Sequence, residues 1–177
     1  MEDLNGTAYV VLGMLGLGAR TGYDVKNIVD KSARFFWAAS YGQIYPELRR
    51  LEREGLVEGR SAPSGARKRR EFQLTKKGRD ELTRWLAQPA AMAELRDENL
   101  LKLFFSDSLP LDQALEHLRV RREGHEQFLA FLQELDARPG DDPPFVDLVL
   151  RYGIAYAEFN VEWCKREEKR LSRKEAA

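Results

Sequence analysis

Between Ser40 and Thr75 the chain reads as a capped amphipathic helix running directly into two short strand-like segments around a cationic turn, an order that few small folds accommodate. Ser40 followed three residues later by Gln43 has the form of a capping box, in which each side chain satisfies a backbone N–H at a helix start. Ile44, Leu48 and Leu51 then recur at helical spacing and demand burial on one face, which leaves Gln43, Tyr45, Arg49, Arg50 and Arg53 on the other. Pro46 sits awkwardly in this pattern. It has no N–H to give, so either the first turn is irregular or the helix starts nearer Gly42. Gly55 suits the left-handed position that ends the helix. GLVEGR and REFQLT flank SAPSGARK, a turn rich in Pro, Gly, Ser and charge, and together they read as a β-hairpin. Its tip carries Arg67, Lys68, Arg69 and Arg70, four adjacent cations that repel one another unless they are solvated or face an anion.

The flanking segments complete a recognisable unit. Residues 7–17, TAYVVLGMLGL, look like a buried helix, although β-branched residues and glycines leave a strand open. Thr21, with Asp24 three residues on, caps a short helix to about Lys31. In the linker SARFFWAA, Phe35, Phe36 and Trp37 are most simply core anchors for a small three-helix unit. Thr75 caps a further helix, KKGRDELTRWLAQ, which stops before Pro89. Three helices followed by a hairpin is the order of a winged helix-turn-helix, so residues 1–88 are expected to form that domain. In such a domain the third helix enters the major groove and the hairpin is the wing beside it.

Residues 89–177 differ in kind. A short helix around Leu100, Leu101, Leu103, Phe104 and Phe105 ends before Pro110, and a long helix then runs from Leu111 to about Ala137 with Leu115, Leu118, Arg122, Leu129 and Leu132 on one side. After the break RPGDDPP a second long helix runs from Phe145 to about Leu171, with Val149, Tyr152, Tyr156, Phe159 and Trp163 in one stripe. Helices of about 25 residues span about 38 Å each. Such a pair buries only part of its apolar surface within one chain, so this half is read as a dimerisation domain. The fold class expected is mainly α, a winged helix-turn-helix plus a long-helix dimerisation domain. A two-fold dimer presents two third helices to successive major grooves and calls for a roughly palindromic site.

Charge is partitioned the same way. The chain is formally neutral, yet residues 1–88 hold 16 Lys and Arg against 11 Asp and Glu, and residues 40–79 hold 11 against 5. A local cationic footprint on one module is what a nucleic-acid reader carries. No run of 18 apolar residues occurs and the first twenty residues have no basic leader, so neither a membrane span nor a signal peptide is indicated and a cytoplasmic protein is expected. Cys164, the lone cysteine, is read as packing. GMLGLGARTG gives GxxGxG and GxGxxxG, not the nucleotide-binding GxGxxG. His117 and His125 lack a third ligand spaced to join them, and no nucleophile or metalloenzyme motif occurs, so no cofactor, metal site or enzymatic activity is expected.

The segments VLGMLGLGARTGYDVKNIV (11–29), SYGQIYPELRRLEREGLVEG (40–59) and LTKKGRDELTRWL (74–86), with DENLLKLFFSDSL (97–109) before two long helices, resemble the PadR family of bacterial transcriptional regulators of the larger C-terminal-domain type. The resemblance implies a dimeric, usually repressing, DNA-binding protein whose affinity responds to a small ligand. It places Ser40, Tyr41, Gln43, Tyr45, Arg49 and Arg50 at recognition-helix positions, and Lys68, Arg69 and Arg70 in the wing. REFQLT departs from the family, whose members often have a tyrosine pair in that strand.

Chemistry assigns roles at these positions. Gln43 suits a base edge, Tyr41 a thymine methyl or a phosphate, and Tyr45 and Ser40 a phosphate. Arg49, Arg50 and the wing cations supply the sequence-independent attraction. Phe36, Trp37, Tyr156 and Trp163 are candidates for lining a pocket for a small aromatic or lipophilic effector, with plain core as the alternative. A winged-helix protein-interaction module, whose basic face meets an acidic protein, is the competing function. Gln43 is the contested residue, because an amide engaged in the cap is not free to read a base.

Overall fold

The computed structural model describes residues 4–62, 69–90, 96–140 and 143–175. The chain divides into two compact units, Met1–Met92 and Ala93–Ala177. In the first, helices α1 (Gly6–Gly16), α2 (Gly22–Lys31) and α3 (Tyr41–Arg53) precede strands β1 (Val57–Ala62) and β2 (Arg69–Leu74), and α4 (Lys76–Leu86) follows. Short polar side chains start these helices by satisfying otherwise orphaned N–H groups. Asn5 Oδ1 accepts from Ala8 N–H at 2.9 Å, and Thr75 Oγ1 from Gly78 N–H at 3.0 Å. Thr21 and Asp24 form the full capping box, at 3.1 and 2.9 Å.

Helix α1 is no strand: it buries Ala8, Tyr9, Val11, Leu12, Met14 and Leu15, which point in several directions around its axis, so it is the hub of the core. Val25 and Val29 of α2 and Ile44, Leu48 and Leu51 of α3 pack onto it. The hairpin is antiparallel in the register Val57↔Leu74, Gly59↔Phe72, Ser61↔Arg70. Buried Phe72 joins it to the core, and the Phe72 N–H donates to the Arg20 carbonyl at 2.7 Å. Helix α4 returns to α1, where the Tyr9 hydroxyl donates to Glu81 at 2.9 Å and the Tyr9 ring stacks on Trp85 with centroids 4.4 Å apart. This is the winged helix-turn-helix expected.

Two local expectations are corrected. Helix α3 starts at Tyr41 with Ser40 as its N-cap and carries Pro46 inside it. The residue four positions earlier is Gly42, whose carbonyl forgoes one bond, and a single forgone bond near a helix start, where termini are solvated, is tolerable. In the aromatic linker Phe35 is half-buried, but Phe36 and Trp37 are not core anchors. Phe36 and Trp37 are 56% and 43% exposed, whereas Ala33 and Ala39 are the buried residues of that segment. The aliphatic side chains of α1–α3 already fill the interior, and the linker crosses its surface with the Trp37 ring against Gly6.

In the second unit α5 (Glu98–Phe104) and a single 3-10 turn (Ser106–Ser108) lead into α6 (Leu111–Asp136) and α7 (Pro144–Glu175). The 26 and 32 residues of α6 and α7 correspond to about 39 and 48 Å of helix. Leu115, Leu118 and Cys164 are buried together, so the lone thiol packs among leucines. Asp97 caps α5 by accepting from Leu100 N–H at 3.0 Å and receives Arg121 Nη1 at 2.7 Å. The same guanidinium donates to Asn160 Oδ1 at 3.1 and 2.7 Å, a buried network joining α5, α6 and α7.

The aromatic stripe of α7 is divided: Tyr152 and Phe159 are exposed, whereas Tyr156 meets His125 of α6 and Trp163 is half-buried against Leu115 and Leu118. The buried positions of the helix include Gly153, Ala157, Asn160, Val161 and Cys164. No described helix is long and apolar enough to cross a membrane.

Candidate nucleic-acid interface

The candidate interface is the solvent face of α3. Burial of Ile44, Leu48 and Leu51 fixes the rotation of this helix, so that Ser40, Tyr41, Gln43, Tyr45 and Arg49 are all exposed. At its start, Gln43 Oε1 accepts from the Ser40 backbone N–H at 2.9 Å and lies 3.1 Å from the Ser40 hydroxyl. The amide oxygen is therefore engaged in the cap. The amide nitrogen has two donors, and no hydrogen bond among the described residues takes them up.

The two tyrosines are held from α2. Tyr41 and Tyr45 stack with centroids 6.2 Å apart, and Lys26 Nζ lies 5.7 Å from the Tyr41 ring centroid, within range of a cation–π attraction. Lys26 is itself ion-paired with Asp30, whose carboxyl is held below the ordinary aspartate range chiefly by that bond. Tyr45 lies across Gly22, where an added Cβ would sit 2.7 Å from its ring. Gly22 is thus what lets α2 and α3 meet at this point.

The cations divide into two kinds. Arg49 and Arg53 are exposed, and no ion pair among the described residues holds them. Arg50 is part-buried: its Nε donates to Glu54 at 2.9 Å and its Nη1 lies 3.9 Å from Glu47. Glu47 also receives the Asn5 amide at 2.6 Å, which ties α3 to the cap of α1. Of the wing residues, Lys68 lies outside the described residues, and of Arg69 only the strand backbone is described. Arg70 is bonded to Glu52 of α3 at 2.6 Å, and its guanidinium lies 5.9 Å from the Phe72 ring centroid.

The four aromatic residues proposed for an effector belong to separate units. Phe36 and Trp37 are exposed on the first, with Phe36 edge-on to Phe35. On the second, Tyr156 packs edge-on to His125, and Trp163 is half-buried against the Leu115 and Leu118 cluster. Burial pushes the His125 pKa down from its usual value, and Arg121 pushes the same way against a smaller opposing pull from Asp97.

Sequence reading missed Lys26, Gly22 and Glu52. Lys26 and Gly22 carry no local signal, since what they do depends on how α2 crosses α3. Glu52 lies 18 positions from Arg70 and meets it only once the hairpin has folded back.

Residues 11–84 match the model of the transcriptional regulator PadR-like family, and residues 95–172 match that of the virulence activator alpha C-terminal region. The negative transcriptional regulator PadR of Bacillus subtilis (strain 168) is 32% identical over 127 residues, 71% of this chain and 70% of that protein. The crystal structure of Bacillus subtilis PadR in complex with operator DNA has a TM-score of 0.84 at 28% identity, over 94% of this chain and 99% of that one. The same protein in complex with p-coumaric acid gives 0.75 at 28%, over 93% and 98%. The PadR-like regulator BC1756 from Bacillus cereus gives 0.85 at 25%, over 95% and 99%. The architecture, the two matched regions and these relatives agree, and the chain belongs to the PadR-like family of transcriptional regulators.

Proposed function

We propose that this regulator acts as a homodimeric repressor that reads a roughly palindromic operator through α3 and the wing, and releases it when a small aromatic or lipophilic effector binds. The observation that carries the reading is the outer face of α3, where Tyr41, Gln43, Tyr45 and Arg49 stand exposed at the capped end and middle of the helix. Gln43 contributes base selectivity through its amide nitrogen. Ser40, Tyr41 and Tyr45 hold phosphates, and Arg49 with Lys68 and Arg69 supplies the counterion-release attraction. Support for DNA as the partner comes from the Bacillus subtilis relative solved with operator DNA, and support for an effector from its complex with p-coumaric acid.

Dimerisation is supported by the apolar surface that α5 and α7 leave uncovered. Leu101, Phe104, Phe105, Phe145, Tyr152 and Phe159 are each 57–79% exposed, far more apolar area than an isolated chain usually shows water. Tyr156 and Trp163 of the second unit are the residues proposed to receive the effector, with Phe36 and Trp37 a separate exposed aromatic pair on the first. Selection of bound duplexes from a random library tests the reading. An enriched inverted repeat with half-sites about 10 base pairs apart, or a multiple of that, is the expected result; recovery of unenriched sequence at low salt sinks it. Release of the selected duplex by p-coumaric acid or a related phenolic acid tests the effector arm.

A further inference from the structure

Glu52 ties the hairpin to α3 by hydrogen bonds to both of its strands. Glu52, in the last turn of α3, accepts from the Gly59 backbone N–H of β1 at 3.1 Å and from Arg70 Nη2 of β2 at 2.6 Å, both on the same Oε1. One carboxylate oxygen thus grips both strands. A Cβ at position 59 would lie 2.5 Å from Glu52 Oε1, 2.7 Å from Arg70 Nε and 3.1 Å from the Phe72 ring, so a side chain there would displace the Glu52–Arg70 pair. Phe72 backs the guanidinium on one side and is itself anchored in the core.

We infer that Glu52 and Arg70 form a charge-neutral latch that sets the angle of the wing against the reading helix, so that Arg70 is a positioning residue for DNA recognition and not a phosphate contact. This rests on reading α3 as the helix that enters the groove. Two physical points carry it. A guanidinium oriented by its bond to Glu52 and by the Phe72 ring is held toward α3, and turning it to a phosphate forgoes that bond and leaves the carboxylate unpaired. The stranded group is then a bare negative charge beside the surface that meets the DNA backbone, where like-charge contact opposes binding.

Exposed ion pairs contribute little to folding, so the variants are expected to fold. The test uses the full chain as wild type, Arg70→Ala, Glu52→Gln and the double variant. Affinity for a duplex selected by the wild type is measured over a range of salt. Arg70→Ala is expected to weaken binding about tenfold at low salt and less as salt screens the stranded charge, and the double variant to recover to within about threefold of wild type with the wild-type salt slope, because the stranded charge is gone. A slope shallower by about 0.9 in the charge-balanced double variant, the signature of one lost phosphate contact, overturns the inference. So does a double variant no better than Arg70→Ala.

A DNA-independent arm separates this inference from the reading of α3. Hydrogen exchange at the Gly59 amide is expected to accelerate in Arg70→Ala without ligand present, and an unchanged rate overturns the latch even if the wild type selects no duplex. Arg70→Met, which keeps the stem over Phe72, replaces the alanine variant in every arm should its melting temperature fall.

Discussion

Gly78, near the start of α4, sits directly over the backbone carbonyl of Leu56, and a Cβ at that position would lie 2.0 Å from the carbonyl oxygen. The same oxygen accepts from the Thr75 N–H and hydroxyl, each at 3.1 Å, so α4 is seated on the turn that joins α3 to β1. The obstruction is backbone and cannot swing aside. Gly78→Ala is expected to cost about 1–3 kcal/mol through overpacking. Thermal melting checks this, and a melting temperature within a degree or two of wild type would show that α4 can shift without loss.

Gln43 has two separable roles, and Gln43→Ala removes both. Loss of the cap is expected to lower stability by about 0.5–1 kcal/mol, at the low end for a capping residue because the helix start is solvent-exposed. Loss of the amide donors is expected to relax base preference at one position of each half-site by about 0.5–1.5 kcal/mol, the size of a single hydrogen bond, because Oε1 stays in the cap and a bidentate contact is not available. Repeating the duplex selection with the variant distinguishes them. An unchanged consensus with a lowered melting temperature would leave Gln43 as a cap alone.

Arg49 and Arg50 are adjacent in sequence but differ in surroundings. Free Arg49 is expected to contribute one phosphate contact, so that Arg49→Ala weakens binding to all duplexes and reduces the salt slope by about 0.9. Arg50 is engaged by Glu54 and Glu47, so Arg50→Ala is expected to lower stability and to leave the slope nearly unchanged. Equal slopes for the two variants would contradict this division.

The exposed rings of α7 predict the assembly state. Phe159→Asp alters a residue that the isolated chain leaves 62% exposed, so the fold should survive while an apolar interface acquires a buried charge. Sedimentation is expected to shift from dimer to monomer, and affinity for the two-half-site duplex to fall by about a hundredfold or more as the two readers are uncoupled. An unaltered sedimentation coefficient would move the interface elsewhere.

Acid is expected to weaken the second unit in two stages of the same sign. His125 has its pKa held below the usual 6.5 by burial and by Arg121, so on acidification the unfolded chain takes up the proton first and stability declines from about that pH downward until the folded-state pKa is passed. Asp97 is also depressed: burial raises its pKa, but the Leu100 N–H and the Arg121 guanidinium together outweigh that. Its contribution is present at neutral pH and lost as pH falls through the lowered folded value. Urea midpoints followed by far-UV circular dichroism should therefore fall between pH 7 and 5, and His125→Gln should flatten only the upper part of the decline. A midpoint that rises over that interval would reverse the assignment.

Much of the first unit is legible in the sequence, and the reason is local. Thr21, Ser40 and Thr75 mark helix starts because caps act over three residues, Gly55 takes its φ of +72° at the end of α3, and apolar spacing sets which faces are buried. The aromatic residues are legible as apolar but not as placed. Phe36 and Trp37 lie on a surface because smaller side chains had already filled the interior, and Tyr152 and Phe159 of α7 face out because Ala157, Val161 and Cys164 make the inward face. The candidate site shows the same limit. The exposed face of α3 follows from periodicity, whereas Arg70 reads as one more free cation until the hairpin brings it to Glu52.

The bond between Tyr9 and Glu81 spans 72 positions, linking the first helix of the reader to the last. A ribosome therefore has to deliver α4 before the unit can close on itself, even though α1, α2 and α3 are already complete. Until then the hub helix lacks its lid, and the apolar faces meant for one another are open to neighbouring chains. The hairpin, made between them in time, waits in a half-finished domain until Tyr9 meets Glu81 and Trp85, so a chain interrupted before α4 leaves the hub helix open on that side.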